Sequence, residues 1–86
     1  MATPPADFDF DGASVPELHE LMRHADPLIQ SDAACALGDR LRTRELDTLD
    51  GPVVETLHTL LESQSFIVQF EAAITLGIFT NSSADP

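Results

Sequence analysis

Lysine, tryptophan and tyrosine are absent from this 86-residue chain, and four arginines are its only fixed cations. Against them stand nine Asp and six Glu, for a formal net charge of −11. A field of that sign repels phosphate backbones, so direct binding to nucleic acid is not expected. With no Trp or Tyr and only five Phe, platforms for stacking nucleobases are scarce as well. The single cysteine, Cys35, cannot close an intrachain disulfide. Nothing therefore points to secretion, and a cytoplasmic location is expected. The first residues carry neither a basic segment nor a long apolar run, so they do not read as a signal peptide. No stretch reaches the roughly 18–20 apolar residues that a membrane span requires.

What is present is a periodic apolar pattern between two polar ends. Residues 1–13, MATPPADFDFDGA, combine Pro, Gly and Asp with Phe8 and Phe10, and read as a flexible acidic tail. Two alternatives stay open for them: a docking peptide with Phe anchors, or a segment folded back over an apolar end. Residues 81–86, NSSADP, read as a second polar tail.

Four helices fit in between. Ser14 and Glu17 form a capping box for the first, whose apolar positions are Val15, Leu18, Leu21, Met22 and Ala25. Asp26-Pro27 ends it and opens the second, which Leu28, Ile29, Ala33, Ala34, Leu37 and Leu41 carry to about residue 44. Arg40, Arg42 and Arg44 fall in its last turns, where a cation suits the helix dipole. A polar linker, Glu45 to Gly51, leads to a third helix starting at Pro52. Ser65 caps a fourth that is expected to end near Phe79.

Displacing the chain by 39 residues superposes the first pair of helices on the second. Val15, Leu18, His19, Leu21, Gln30, Ala33-Ala34 and Leu37-Gly38 meet Val54, Leu57, His58, Leu60, Gln69, Ala72-Ala73 and Leu76-Gly77. Those are nine identities in 24 aligned pairs, without a gap. Chance likeness between amphipathic helices would match some Leu, but not Ala-Ala and Gly as well. A repeat of this period with two helices per unit belongs to the HEAT/armadillo class. The predicted fold is all-α: two helical hairpins, spanning 14–44 and 52–80, as a short α-solenoid or a compact four-helix arrangement.

The segments ADPLIQSDAACALGDR and SQSFIVQFEAAITLGIF resemble the second helix of the short HEAT-like repeats of phycobilin lyases. The resemblance covers residues 14–80. It implies the fold closely and function loosely, because such repeats serve scaffolds, chaperones, lyases and hydroxylases alike. Two departures matter. Where the family usually has Arg, this chain has Gln30 and Gln69, so the Asp–Arg ladder between repeats is not expected. Where the iron-dependent HEAT-like hydroxylases place His-Glu pairs before Ala-Ala, it has Ser31-Asp32 and Phe70-Glu71. That metal site cannot be carried over.

Other chemistry is thinly supported. His19 and His58 occupy equivalent positions and could approach one another, but both also read as polar edge residues of a duplicated helix. His24 suits the dipole at its helix end. Cys35 lies between Ala34 and Ala36 with no His spaced to activate it, and reads as a small hydrophobe rather than a nucleophile. No metal, cofactor or catalytic residue is expected, and the chain is read as non-enzymatic.

The fourth helix carries the sharpest functional signal. Besides its core positions, it presents a second apolar stripe of Ile67, Phe70, Ile74 and Ile78. The counterparts in the first repeat are Leu28, Ser31, Cys35 and Asp39, so the stripe fades toward that end. A helix that is apolar on two faces should be covered on both. Two repeats are also fewer than the three or so that usually bury a continuous core. The expectation is a protein–protein interaction module that binds a partner, or a second copy as a homodimer, through Ile67, Phe70, Ile74, Ile78, Leu28 and Cys35. A compact arrangement with a central fourth helix is the competing outcome. Two other functions stay open: a small acidic inhibitor that mimics nucleic acid toward its binding protein, and a lyase or chromophore-chaperone subunit. The first would draw on the acidity, which solubility or a salty cytoplasm explains equally well.

Overall fold

Four helices and no strand make up the described part of the chain, a computed structural model that places residues 5 and 7–84, with side chains through residue 81. The order is α1 (Val15–Met22), α2 (Pro27–Arg42), α3 (Gly51–Leu60) and α4 (Phe66–Ala84). Each helix after the first begins at a signal legible in the chain. Asp26 and Asp50 are the N-caps of α2 and α3, and each of those helices has a Pro in its first turn. The Asp26 carboxylate accepts from the Leu28 N–H at 3.0 Å, whereas Asp50 makes no such bond. At α1 the capping box is complete. The Glu17 N–H donates to Ser14 Oγ at 3.2 Å, and the Ser14 N–H donates back to Glu17 Oε1 at 3.1 Å.

Two ends differ from the sequence expectation. Helix α1 stops at Met22, leaving Ala25 exposed in the turn rather than on the apolar face. Helix α4 runs through Asn81 to Ala84, beyond the expected stop near Phe79. No breaker intervenes there: Asn81 merely lowers helix propensity, and the first proline is Pro86. The 81–86 tail is therefore helical as far as Ala84; Asp85 and Pro86 lie outside the described residues.

The helices form two antiparallel hairpins laid side by side. The packing of α2 on α4 is the most extensive, followed by α1 on α2 and α3 on α4, with a light contact of α1 on α3. The second helices of the two hairpins thus build the central seam. Leu18, Met22, Leu37, Leu57 and Val68 are fully buried around it, each contributing on the order of 1.5–3 kcal/mol by removal from water. The linker is less polar in effect than its composition suggests. Leu49 is buried and Leu46 packs against the core.

The duplication seen in the chain is also a duplication of bonds. Gln30 Nε2 donates to the carbonyl of Met22, the last residue of α1, at 3.1 Å. Its counterpart Gln69 donates from Nε2 to the carbonyl of Ser63, just past α3. Helix ends leave carbonyls without intrahelical partners. In each repeat the glutamine stays within its own hairpin, bonding the end of the preceding helix in the first and the turn after it in the second.

The N-terminal segment divides. Residues 1–4 and 6 lie outside the described residues. Residues 7–13, expected as part of a flexible tail, lie folded against the first hairpin: Ala13 is buried, and Phe8 and Phe10 pack on the core, their rings edge to face with centroids 4.9 Å apart. Arg40 anchors this segment, its Nη2 donating to the carbonyls of Phe10 at 3.2 Å and Asp11 at 2.7 Å. Arg40 is thus engaged with backbone rather than serving only as a cation at a helix end. The arginine four residues on, Arg44, lies beyond α2 with φ of 64°, in the left-handed region usually given to glycine.

Candidate functional site

The six residues expected to meet a partner do not share one environment. Leu28 (60% exposed), Ile67 (53%), Phe70 (66%) and Cys35 lie at the surface. Ile74 is half-buried, and Ile78 packs against the core. Phe66, which the sequence reading did not include, is the most exposed large apolar residue of α4 at 85%. Phe66, Ile67, Gln69 and Phe70 line a shallow open hollow at the start of the helix.

The cause is a rotation of α4 about its axis. At about 100° per residue, the exposed face formed by Phe66, Phe70, Ala73 and Gly77 is turned roughly 75° from the Ile67–Phe70–Ile74–Ile78 stripe. Thr75 sets that rotation. It is almost completely buried, and its Oγ1 donates to the carbonyl of Ala34 at 2.9 Å, across the seam from α2. With Thr75 in the seam, Val68 and Ala72 are buried beside it and Ile78 is carried against the core. A polar residue at the tightest point of an apolar seam is not suggested by hydrophobic periodicity. Its counterpart Ala36 is buried too, but it was not among the apolar positions read from the first repeat.

The close approach is made possible by Gly38. A Cβ at that position would stand 2.9 Å from Thr75 Oγ1. Around it, Ser31, Ala34, Gly38 and Leu41 form one helical stripe of α2, and all four are buried. The equivalent stripe of α4 is Phe70, Ala73, Gly77 and Thr80, and all four are exposed. A Cβ on Gly77 would meet nothing within 4 Å. The surface that α2 uses to receive α4 is therefore reproduced on α4 with none of the described residues seated on it.

The opposite end of the stack is closed. On the other side of α2, Ile29 and Ala36 are buried, and Arg40, one turn beyond Ala36, holds the 10–11 backbone. There the N-terminal segment lies against the hairpin. Its sequence is part of the repeat too: Phe10-Asp11-Gly12 falls on Leu49-Asp50-Gly51 at the same displacement of 39. That match extends the duplication upstream of Ser14 and was a legible sign that Phe10 packs as Leu49 does.

The remaining candidates have structural roles in view. His19 Nε2 lies 2.7 Å from Thr56 Oγ1, whose own proton goes to the Pro52 carbonyl at 3.0 Å. The threonine hydroxyl must then accept, so the His19 Nε2–H donates, linking α1 to α3. His58 is exposed, and no group of three or more potential metal ligands occurs among the described residues. His24 is buried, and its Nδ1 accepts from the Asp26 N–H at 3.0 Å. Its ring nitrogen thus braces the α1–α2 turn. Nε2 has no partner. The Cys35 thiol is pushed above its ordinary value, first by desolvation and then by the carboxylates of Glu71, Asp39 and Asp32. Such a thiol is a poor nucleophile at neutral pH.

No helix is long and apolar enough among the described residues to cross a membrane. Comparison with protein-family models, curated proteins and solved structures finds no match to this chain.

Proposed function

We propose that this chain is a non-catalytic protein–protein interaction module of HEAT-like build, docking a protein through the outward face of α4. One observation carries the reading. Residues 31, 34, 38 and 41 of α2 are buried, with Thr75 of α4 against Ala34 and Gly38, while their counterparts 70, 73, 77 and 80 of α4 are exposed. The face is also apolar and uncharged. Glu71 is the sole ionisable residue of the helix from Phe66 to Ala84, in a chain with 19 charged residues. Phe66, Ile67 and Phe70 lie exposed at its start. The lone, poorly reactive cysteine is compatible with a reducing compartment, and we assign the module to the cytoplasm.

The test is site-specific photocrosslinking in extracts of the source cells, with a benzophenone side chain at position 70 and, as a control, at exposed Glu55 on α3. A discrete adduct from position 70 that is missing from position 55 supports the reading. Equal or no adducts from both positions overturn it.

A further inference from the structure

Resting on that reading, we infer that the occupant of the open α4 face is a second copy of this chain, in a two-fold symmetric dimer closed by antiparallel α4 helices. Three features of the molecule lead there.

The first is the shape of the vacancy. Its equivalent on α2 is filled by a helix at close range, with a glycine admitting a seam side chain. A helix is therefore the kind of element that the α4 face accepts. The second is charge. Two copies each at −11 repel wherever their carboxylates meet, but the one acid of α4, Glu71, lies about 130° around the helix from this face. A basic partner, by contrast, would gain nothing from a face without acids, and this chain has acids to spare elsewhere. The third is that, among the described residues, the far side of α2 is covered while the outer face of α4 is not. Head-to-tail growth would need α4 of one copy to seat against the far side of α2 in the next. There, the Arg40-anchored 7–13 segment already lies. Self-association is left with the same face on both copies, which is isologous and stops at two.

The residues on the face are complementary to themselves. Antiparallel helices related by a two-fold axis between positions 73 and 74 pair position i with 147 − i. Phe70 of each copy then lies over Gly77 of the other, and Phe66 lies beside Asn81. A large exposed ring faces a backbone with open space above it, twice over, and Ala73 at the axis lets the helices approach. The ring supplies the apolar area that a small interface needs at its centre, where aromatic anchors dominate binding.

Sedimentation equilibrium on the purified full chain tests this, with Phe70→Glu and Gly77→Gln as variants. Both positions are exposed, and circular dichroism checks that the fold is kept. The wild-type chain is expected to be a dimer, and each variant to weaken it by at least about tenfold. Register is read independently from Ala73→Cys in a Cys35→Ser background, which should oxidise to a disulfide-linked dimer, with Thr59→Cys on exposed α3 as the control. A wild-type monomer across the accessible concentration range overturns the proposal. So does a dimer unchanged by both variants, or one oxidising equally at positions 59 and 73. The two readings fail separately. A monomer whose position-70 crosslink is to a different protein removes the dimer and keeps the docking face. A monomer with no specific crosslink removes both.

Discussion

Alanine at the two equivalent glycines should act with opposite signs. In a helix interior, Gly→Ala gains about 1 kcal/mol from propensity alone. At Gly77 nothing lies within 4 Å of the new Cβ, so that gain should be realised nearly in full. At Gly38 the same methyl would stand 2.9 Å from Thr75 Oγ1, inside the seam. Thr75 cannot yield freely, because it is almost completely buried and its hydroxyl is bonded to the Ala34 carbonyl at 2.9 Å. Relief comes from separating the helices, at about 1–3 kcal/mol for an overpacked core, or from turning the threonine and leaving its buried hydroxyl unpaired, which also costs about 1–3 kcal/mol. Net of the propensity gain, Gly38→Ala should destabilise the fold by about 1 kcal/mol, leaving the two variants roughly 2 kcal/mol apart. Urea unfolding followed by circular dichroism measures this. It should be run at several protein concentrations, so that any association is separated from folding. Equal stabilisation at both positions would refute the tight α2–α4 seam, and equal destabilisation would refute the open face at Gly77.

Three further outcomes follow from local geometry. Arg44→Gly should stabilise the chain by up to about 1 kcal/mol, because it relieves a left-handed backbone at an ordinary side chain; an unchanged or lower urea midpoint would contradict that conformation. Cys35 should react with iodoacetamide at pH 8 more slowly in the folded than in the urea-unfolded chain. The gap should narrow as pH rises toward the raised thiol value, or as salt screens Glu71, Asp39 and Asp32, and a faster folded thiol would contradict the assigned environment. The Glu17 carboxyl is held below its ordinary value, first by the Ser14 N–H and then by the Ser14 hydroxyl. Its contribution to stability is present above the ordinary glutamate value and lost as pH falls through the lowered one. Glu17→Gln should flatten that part of an acid-unfolding profile, whereas a profile identical to wild type would remove the capping box as its source.

The all-α, four-helix arrangement was legible because its signals are local. Caps at Ser14, Asp26 and Asp50, prolines in the first turns and 3.6-residue spacing place the helix starts with little help from tertiary contacts. The hairpin pairing was legible because the chain says it twice. The rotation of α4 was not legible. Ile74 and Ile78 look like an outer stripe on a helical wheel. Which apolar face turns outward depends on where the tightest contact falls, and that contact is made by Thr75 against Gly38 and the Ala34 carbonyl. Hydrophobic periodicity has no term for a threonine whose hydroxyl is satisfied across a seam. The packing of residues 7–13 on the first hairpin was left open as one of three outcomes for a related reason. Their acidic composition suits a solvated tail, while their packing rests on Phe10 and a backbone-directed Arg40 thirty residues away.

The central claim is that the Phe66–Phe70–Ala73–Gly77 face of α4 is the docking surface. Residue-resolved NMR on the isotopically labelled full chain, recorded as a dilution series, addresses it directly. The account predicts that signals of Phe66, Ile67, Phe70, Ala73 and Gly77 move with concentration while those of α1 and α3 stay fixed. Concentration-dependent shifts confined to α1 or α3, or none on α4 while sedimentation shows a dimer, would contradict it.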